Sequence, residues 1–99
     1  MTTSTRRAMP RTVREIQRRI RRLRDLHSLT RRAFAQRVGV HARRITDWEE
    51  HSLPSAAHLV LICRAFDVDL NWLIGLTGVS DVPQFRGAVE VSGTNKGAE

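Results

Sequence analysis

Cysteine, tyrosine and lysine are nearly missing from this 99-residue chain, which has one Cys, one Lys and no Tyr. A lone Cys63 cannot close an internal disulfide, which fits a reducing cytoplasm. It falls in an apolar helical stretch, where a small buried side chain is expected rather than a reactive thiol. No apolar run approaches the roughly 20 residues that span a bilayer. The opening MTTSTRRAMPRTVR lacks the apolar centre of a signal peptide, so neither export nor membrane attachment is expected. Two Trp, three Phe and no Tyr leave little for the stacking platforms of a single-strand binder. Glycine-rich phosphate loops and nucleophile elbows are absent. His27, His41, His51 and His58 have no Cys or carboxylate companions at metal-ligand spacing. The expectation is a protein with no catalytic residues, no metal and no cofactor.

What the chain does have is arginine. Sixteen of its 17 basic residues are Arg, whose planar fork suits phosphates and guanine edges where Lys offers a point charge. Residues 1–50 hold 14 Arg against five acids, and residues 51–99 hold three basic residues against five, so +9 and −2 make the net +7. That polarity describes a polyanion-binding face joined to an end that does not bind. Arg-rich codon usage in a GC-rich genome gives the same bias, so composition favours nucleic acid only modestly. The length is that of one domain, and 40% hydrophobic residues can supply its core.

Residues 1–11 read as a flexible basic arm closed by Pro10. In TVREIQRRIRRLRDLHS, Thr12 and Glu15 have capping-box spacing, and Val13, Ile16, Ile20 and Leu23 recur every three or four residues. This predicts a helix with one apolar stripe. Its Arg run is a solvated face, a phosphate contact, or a basic amphipathic helix for membranes or calmodulin, the narrow aliphatic stripe without Trp or Phe speaking against membranes. A second helix is expected over 30–38, with Thr30 as N-cap, Phe34, Ala35 and Val38 inward, and Gly39 as the left-handed stop. A third runs over about 42–50, with Ile45 and Trp48 on one side and Ala42, Arg43, Thr46 and Asp47 on the other. Ser55 after Pro54 caps a fourth, AAHLVLICRAF, and Asp69 caps a short fifth ended by Gly75. FRGAVEV has the pattern of a short strand, and residues from Ser92 onward read as disordered. The expected organisation is an arm over 1–11, a domain over 12–79 and a tail over 80–99, without repeats.

Two short helices separated by a glycine turn, the second apolar on one side and polar on the other, make a helix-turn-helix. Over residues 20–75 the chain resembles the lambda-repressor and Cro type of helix-turn-helix domain, the class of small bacterial and phage regulators. IRRLRDLHSLTRRAFAQRVGV is similar to that family's first helix and first motif helix, with Leu29, Phe34, Ala35, Gly39 and Val40 in register. ITDWEE is similar to its recognition helix at Ile45, Trp48 and Glu49. LPSAAHLVLICRAFDVDLNWLIG is similar to its last two helices at Pro54, Ala65, Val68, Leu70, Trp72, Leu73 and Gly75. Three positions depart from the pattern. Ser28 and His51 stand where Gly is common, which predicts strained or rearranged turns. His41 stands where Ser or Thr usually caps the recognition helix, which predicts a weaker start. The basic extension ahead of Ile20 is also longer than such a domain usually needs.

The resemblance implies a compact, all-α, five-helix domain that puts the start of its third helix into the major groove of double-stranded DNA, about 12 Å wide. The base-facing positions are then His41, Ala42, Arg43 and Asp47. Arg43 can bond guanine O6 and N7 with two prongs, Ala42 can sit against a thymine methyl, and Asp47 can accept from cytosine N4. An Asp47–Arg43 ion pair one turn apart is an equal alternative. Phosphate contacts fall to Arg31, Arg24 and Arg44, and more weakly to Arg32; they position the protein without reading sequence. The function implied is a sequence-specific transcriptional regulator, and specifically a repressor, of bacterial or phage cytoplasm. Two other readings stay open: an antitoxin-like module whose C-terminal half binds a protein partner, and an RNA binder acting through the Arg-rich helix. Leu70, Trp72, Ile74, Leu76 and Val79, extended by Phe85, Val89 and Val91, make more apolar surface than a short helix buries. A two-fold homodimer through residues 70–91, on an inverted repeat with half-sites about 10 base pairs apart, is therefore expected, the alternative being that these residues only seal the monomer core.

Overall fold

The computed structural model describes residues 11–86 and folds them into five helices, with no strand among the described residues. They are α1 (Arg11–Leu26), α2 (Arg31–Val38), α3 (Ala42–Glu50), α4 (Ala56–Phe66) and α5 (Leu70–Leu73). The all-α expectation holds. Residues 1–10 of the expected arm and the chain from 87 onward, Val89 and Val91 included, lie outside the described residues.

The apolar stripe of α1 buries Ile20 and Leu23 completely, with Ile16 packed beside them. Arg19 shares that burial at 4% exposure, so one member of the Arg run is not solvated. Its Nη1 donates to the Trp72 and Thr77 carbonyls at 2.6 and 2.8 Å, its Nη2 to the Gly78 carbonyl at 3.0 Å, and its Nε to Glu15 at 2.6 Å. A guanidinium tolerates burial when its fork is satisfied in this way. On the other flank, Gln17 donates its amide to the Ser52 carbonyl at 2.9 Å. The capping box does not form. Arg11, assigned to the arm on sequence, is already helical, Thr12 lies inside the first turn, and the Glu15 carboxylate turns to Arg18 and Arg19 instead. The Arg19 bond, foremost, holds the Glu15 carboxyl below its ordinary pKa.

The later caps follow their spacing. Thr30 accepts from the Ala33 amide at 3.0 Å, Ser55 from His58 at 3.2 Å and Asp69 from Asn71 at 3.2 Å. Ser28 takes the left-handed φ of 54° that would suit a glycine. His51 does not, with φ at −124°, so that turn is rearranged and carries no such strain. Phe34 stacks on Phe66 with centroids 4.6 Å apart, and Ile45, Trp48, Ile62, Val68, Trp72 and Leu73 close the core around them. Cys63 is buried there, and burial pushes its thiol pKa up.

The packed unit continues past residue 79. Residues 84–86 run antiparallel to 67–69: the Asp69 amide donates to the Gln84 carbonyl at 2.7 Å and the Arg86 amide to the Asp67 carbonyl at 2.9 Å. Phe85 packs on the core, its ring edge-on to His27 at 6.3 Å. Two residues of the expected dimer patch, Trp72 and Phe85, thus serve the monomer's own core. Leu70, Leu76 and Val79 stay 39%, 70% and 66% exposed, joined by Val82 at 59%.

Candidate nucleic-acid interface

Gly39 makes the turn between α2 and α3 at φ 94°, with its amide on the Ala35 carbonyl at 2.8 Å. A side chain there would be strained by the backbone conformation alone. Two residues later His41 caps α3 itself: its Nδ1 accepts from the Arg43 amide at 3.1 Å. The expectation that His41 weakens this helix start is therefore corrected, because an unprotonated imidazole nitrogen does the work of a Ser or Thr oxygen. The neutral ring then carries its proton on Nε2, leaving that N–H free to donate outward.

Packing decides which side of α3 faces out. Ile45 is 0% and Trp48 2% exposed, so the helix is pinned to the core along one edge. Arg43 and Arg44 are exposed, and together with His41 and Asp47 they line an open cleft of about 600 Å³ at the start of the helix. Among the described residues neither arginine has an ion pair or side-chain hydrogen bond, and the Arg43–Asp47 pair does not form. Two free forks and one free carboxylate thus meet at a single mouth, a donor-rich surface of the kind that suits a polyanion. A second shallow cleft beside it is lined by Arg32, Gln36, Val40, His41 and Ala42. Ala42 is half-buried and packs partly on the core.

The far end of α3 is held by charge. The Glu49 side chain is 1% exposed; Arg24 grips it from α1 through Nε at 2.7 Å and Nη2 at 3.1 Å, while Arg31 reaches it from α2 at 3.2 Å. Arg24 also donates to the Leu29 carbonyl at 3.0 Å, and Arg31 to Glu50 at 2.7 Å. The bond to Glu49 raises the Arg24 pKa above its ordinary value. One carboxylate therefore ties three helices together at the C-terminal end of α3.

The family model of the helix-turn-helix matches residues 20–73, the stretch over which these turns and helices are built. The chain belongs to the helix-turn-helix family of the lambda-repressor and Cro type. It is similar to an uncharacterized HTH-type transcriptional regulator, YobD, of Bacillus subtilis (strain 168), with 33% identity over 64 residues, 64% of this chain and 57% of that protein. The chain thus spans less than two thirds of that relative's length. No solved structure matches it.

In this helix-turn-helix domain the residues singled out on sequence divide into two sets. His41, Arg43, Arg44 and Asp47 come together at the mouth of α3, with Arg32 and Ala42 in the adjoining cleft. Arg24 is turned inward, 13% exposed and committed to Glu49; Arg31 is 35% exposed and shared between Glu49 and Glu50. Arg19 and Gln17 were missed. A signal for both was present, since Arg19 stands three residues after Ile16 and four before Leu23, on the stripe itself. Gln17 likewise follows Val13 by four and precedes Ile20 by three. Gln36, on the rim of the second cleft, was missed as well, and no periodicity marks it.

Proposed function

We propose that the protein is a sequence-specific, double-stranded-DNA-binding transcriptional regulator that acts as a repressor in a bacterial or phage setting, without enzymatic activity. The observation that carries this reading is the contrast across α3. One edge is locked into the core by Ile45 and Trp48, while the opposite edge offers Arg43 and the flank Arg44, both unpaired beside the capped helix start. A rigid helix with free guanidiniums at its tip suits a major groove, where Arg43 reads guanine and His41, Ala42 and Asp47 contact neighbouring edges. Arg44, Arg32 and Arg31 supply phosphate contacts, Arg31 by exchanging Glu50 for a phosphate. Arg24 acts one step back, by fixing Glu49. The name of the Bacillus subtilis relative, a transcriptional regulator, agrees with this reading.

Two copies on an inverted repeat complete it, paired through Leu70, Leu76, Val79 and Val82, which are 39–70% exposed. The same exposed side chains favour the second reading, an antitoxin-like module docking a protein partner there, with DNA binding as autoregulation. A stoichiometric partner that co-purifies with the parent and not with a Leu76→Ser, Val79→Ser, Val82→Ser variant supports that second reading. The first is tested by titrating the protein with duplex DNA and duplex RNA of one sequence at several salt concentrations. Duplex DNA should bind more tightly, with the slope of log K against log salt steepening by about 0.9 per phosphate neutralised. Equal or tighter RNA binding contradicts the proposal.

A further inference from the structure

We propose that the outward face of α1 from Arg14 to Arg21, most of it ahead of the family's own domain, is a second contact for the DNA backbone, one that grips phosphates outside the groove filled by α3. The inference rests on the duplex-DNA reading above and extends its footprint. The family match begins at residue 20, whereas α1 is already helical at Arg11, so about two and a half turns of helix precede the recognised domain. They are not loosely appended. Arg19 fastens one flank to the carbonyls of Trp72, Thr77 and Gly78, and Gln17 fastens the other to Ser52, just past the end of α3. With both flanks fixed, the outward face is fixed as well. It carries Arg14, Arg18 and Arg21, which with Gln17 and Glu49 line one cleft shared by α1 and α3.

The charge pattern of this face suits an anionic partner. Residues 11–22 contain six Arg and one acid, Glu15, and Glu15 is already shared between Arg18 and Arg19. Arg21 meets Asp25 only at 3.9 Å, and among the described residues Arg14 has no ion pair. Like charges at helical three- and four-residue spacing destabilise a helix, and a polyanion relieves that repulsion. Arg14 to Arg21 spans about 10 Å of helix axis, the length over which one DNA strand presents about three phosphates. The apolar stripe of α1 is spent on the core at Ile16, Ile20 and Leu23, and the exposed Leu26 at its far end is too little to insert into a lipid surface.

The test is the salt dependence of full-length protein on its duplex site, comparing the parent with an Arg14→Gln, Arg18→Gln, Arg21→Gln variant. The three residues are exposed and Gln is a comparable helix former, so a matching circular-dichroism melt is expected. The slope of log K against log salt should shrink by about 2–3 units, with base preference unchanged. Removing flanking base pairs from the site should weaken the parent and not the variant. Arg64→Gln, which removes one exposed charge from α4, should leave the slope as in the parent. A variant that melts like the parent and keeps its slope and its response to flank length overturns the proposal while leaving the groove reading intact. A parent that does not bind duplex DNA overturns both. If the three substitutions unfold the chain, single variants decide it: each should lose about one unit of slope, and none doing so overturns the proposal.

Discussion

Trp48 is 2% exposed, its ring 5.2 Å from that of His58, and the placement of α3 depends on it. Trp48→Ala should cost about 3–5 kcal/mol by lost burial and the cavity left behind. That is a large share of the stability of so small a domain. A urea titration in which Trp48→Ala matches the parent would mean that α3 is not docked by this ring. His27 invites a pH experiment. Its ring lies 4.9 Å from Phe66, its buried Nε2 has no hydrogen-bond partner among the described residues, and burial, followed by the charge of Arg37, lowers its pKa from 6.5. Below about pH 6.5 the unfolded chain takes up a proton that the folded chain resists. Stability should therefore fall as pH drops through 6.5 toward the lower folded value. His27→Phe, which can pack between Phe66 and Phe85, should flatten that dependence. Parallel melting curves for parent and variant between pH 7.5 and 5 would rule His27 out as the cause.

Among the helices, the Glu49 carboxylate is the shared tie of α1, α2 and α3. Removing its charge strands Arg24 at 13% exposure, so Glu49→Gln should cost about 3 kcal/mol, the low end for a broken buried pair because Arg24 keeps some solvent. A thermal melt unchanged from the parent would show the network to be dispensable. The tie also explains what the sequence could and could not disclose. Ile45 and Trp48 were legible because burial repeats with the helical period, as were the caps at Thr30, Ser55 and Asp69, whose partners lie two or three residues away. Arg24 and Glu49 are 25 residues apart, and no local pattern tells a guanidinium that meets a carboxylate from one that meets a phosphate. Arg19 was hidden differently. In a run of arginines the residue type suggests solvent, and only its place on the apolar stripe marks it as the one turned inward. Thr12 and Glu15 satisfied a capping pattern, yet Glu15 found two guanidiniums one turn on and left the backbone alone.

At the scale of the whole molecule, the exposed Leu76, Val79 and Val82 side chains bear on assembly. Residues 84–86 pair with 67–69 inside one subunit, so a truncation before them would damage the core as well as any interface. Surface substitution separates the two. Leu76→Ser, Val79→Ser and Val82→Ser together should leave the melting temperature within a few degrees, since the three are 59–70% exposed, and should turn a dimer into a monomer by light scattering. A parent that is monomeric both free and on DNA contradicts the pairing. DNA reading by the tip of α3 is probed most directly by selecting binding sites from random duplex DNA with the parent and with Arg43→Ala. The parent should enrich an inverted repeat with half-sites about 10 base pairs apart. Arg43→Ala should bind the parent's site about 1–3 kcal/mol more weakly and lose preference at one base pair of each half-site. An identical motif from both proteins, or no enriched motif from the parent, would contradict the claim that this helix reads DNA.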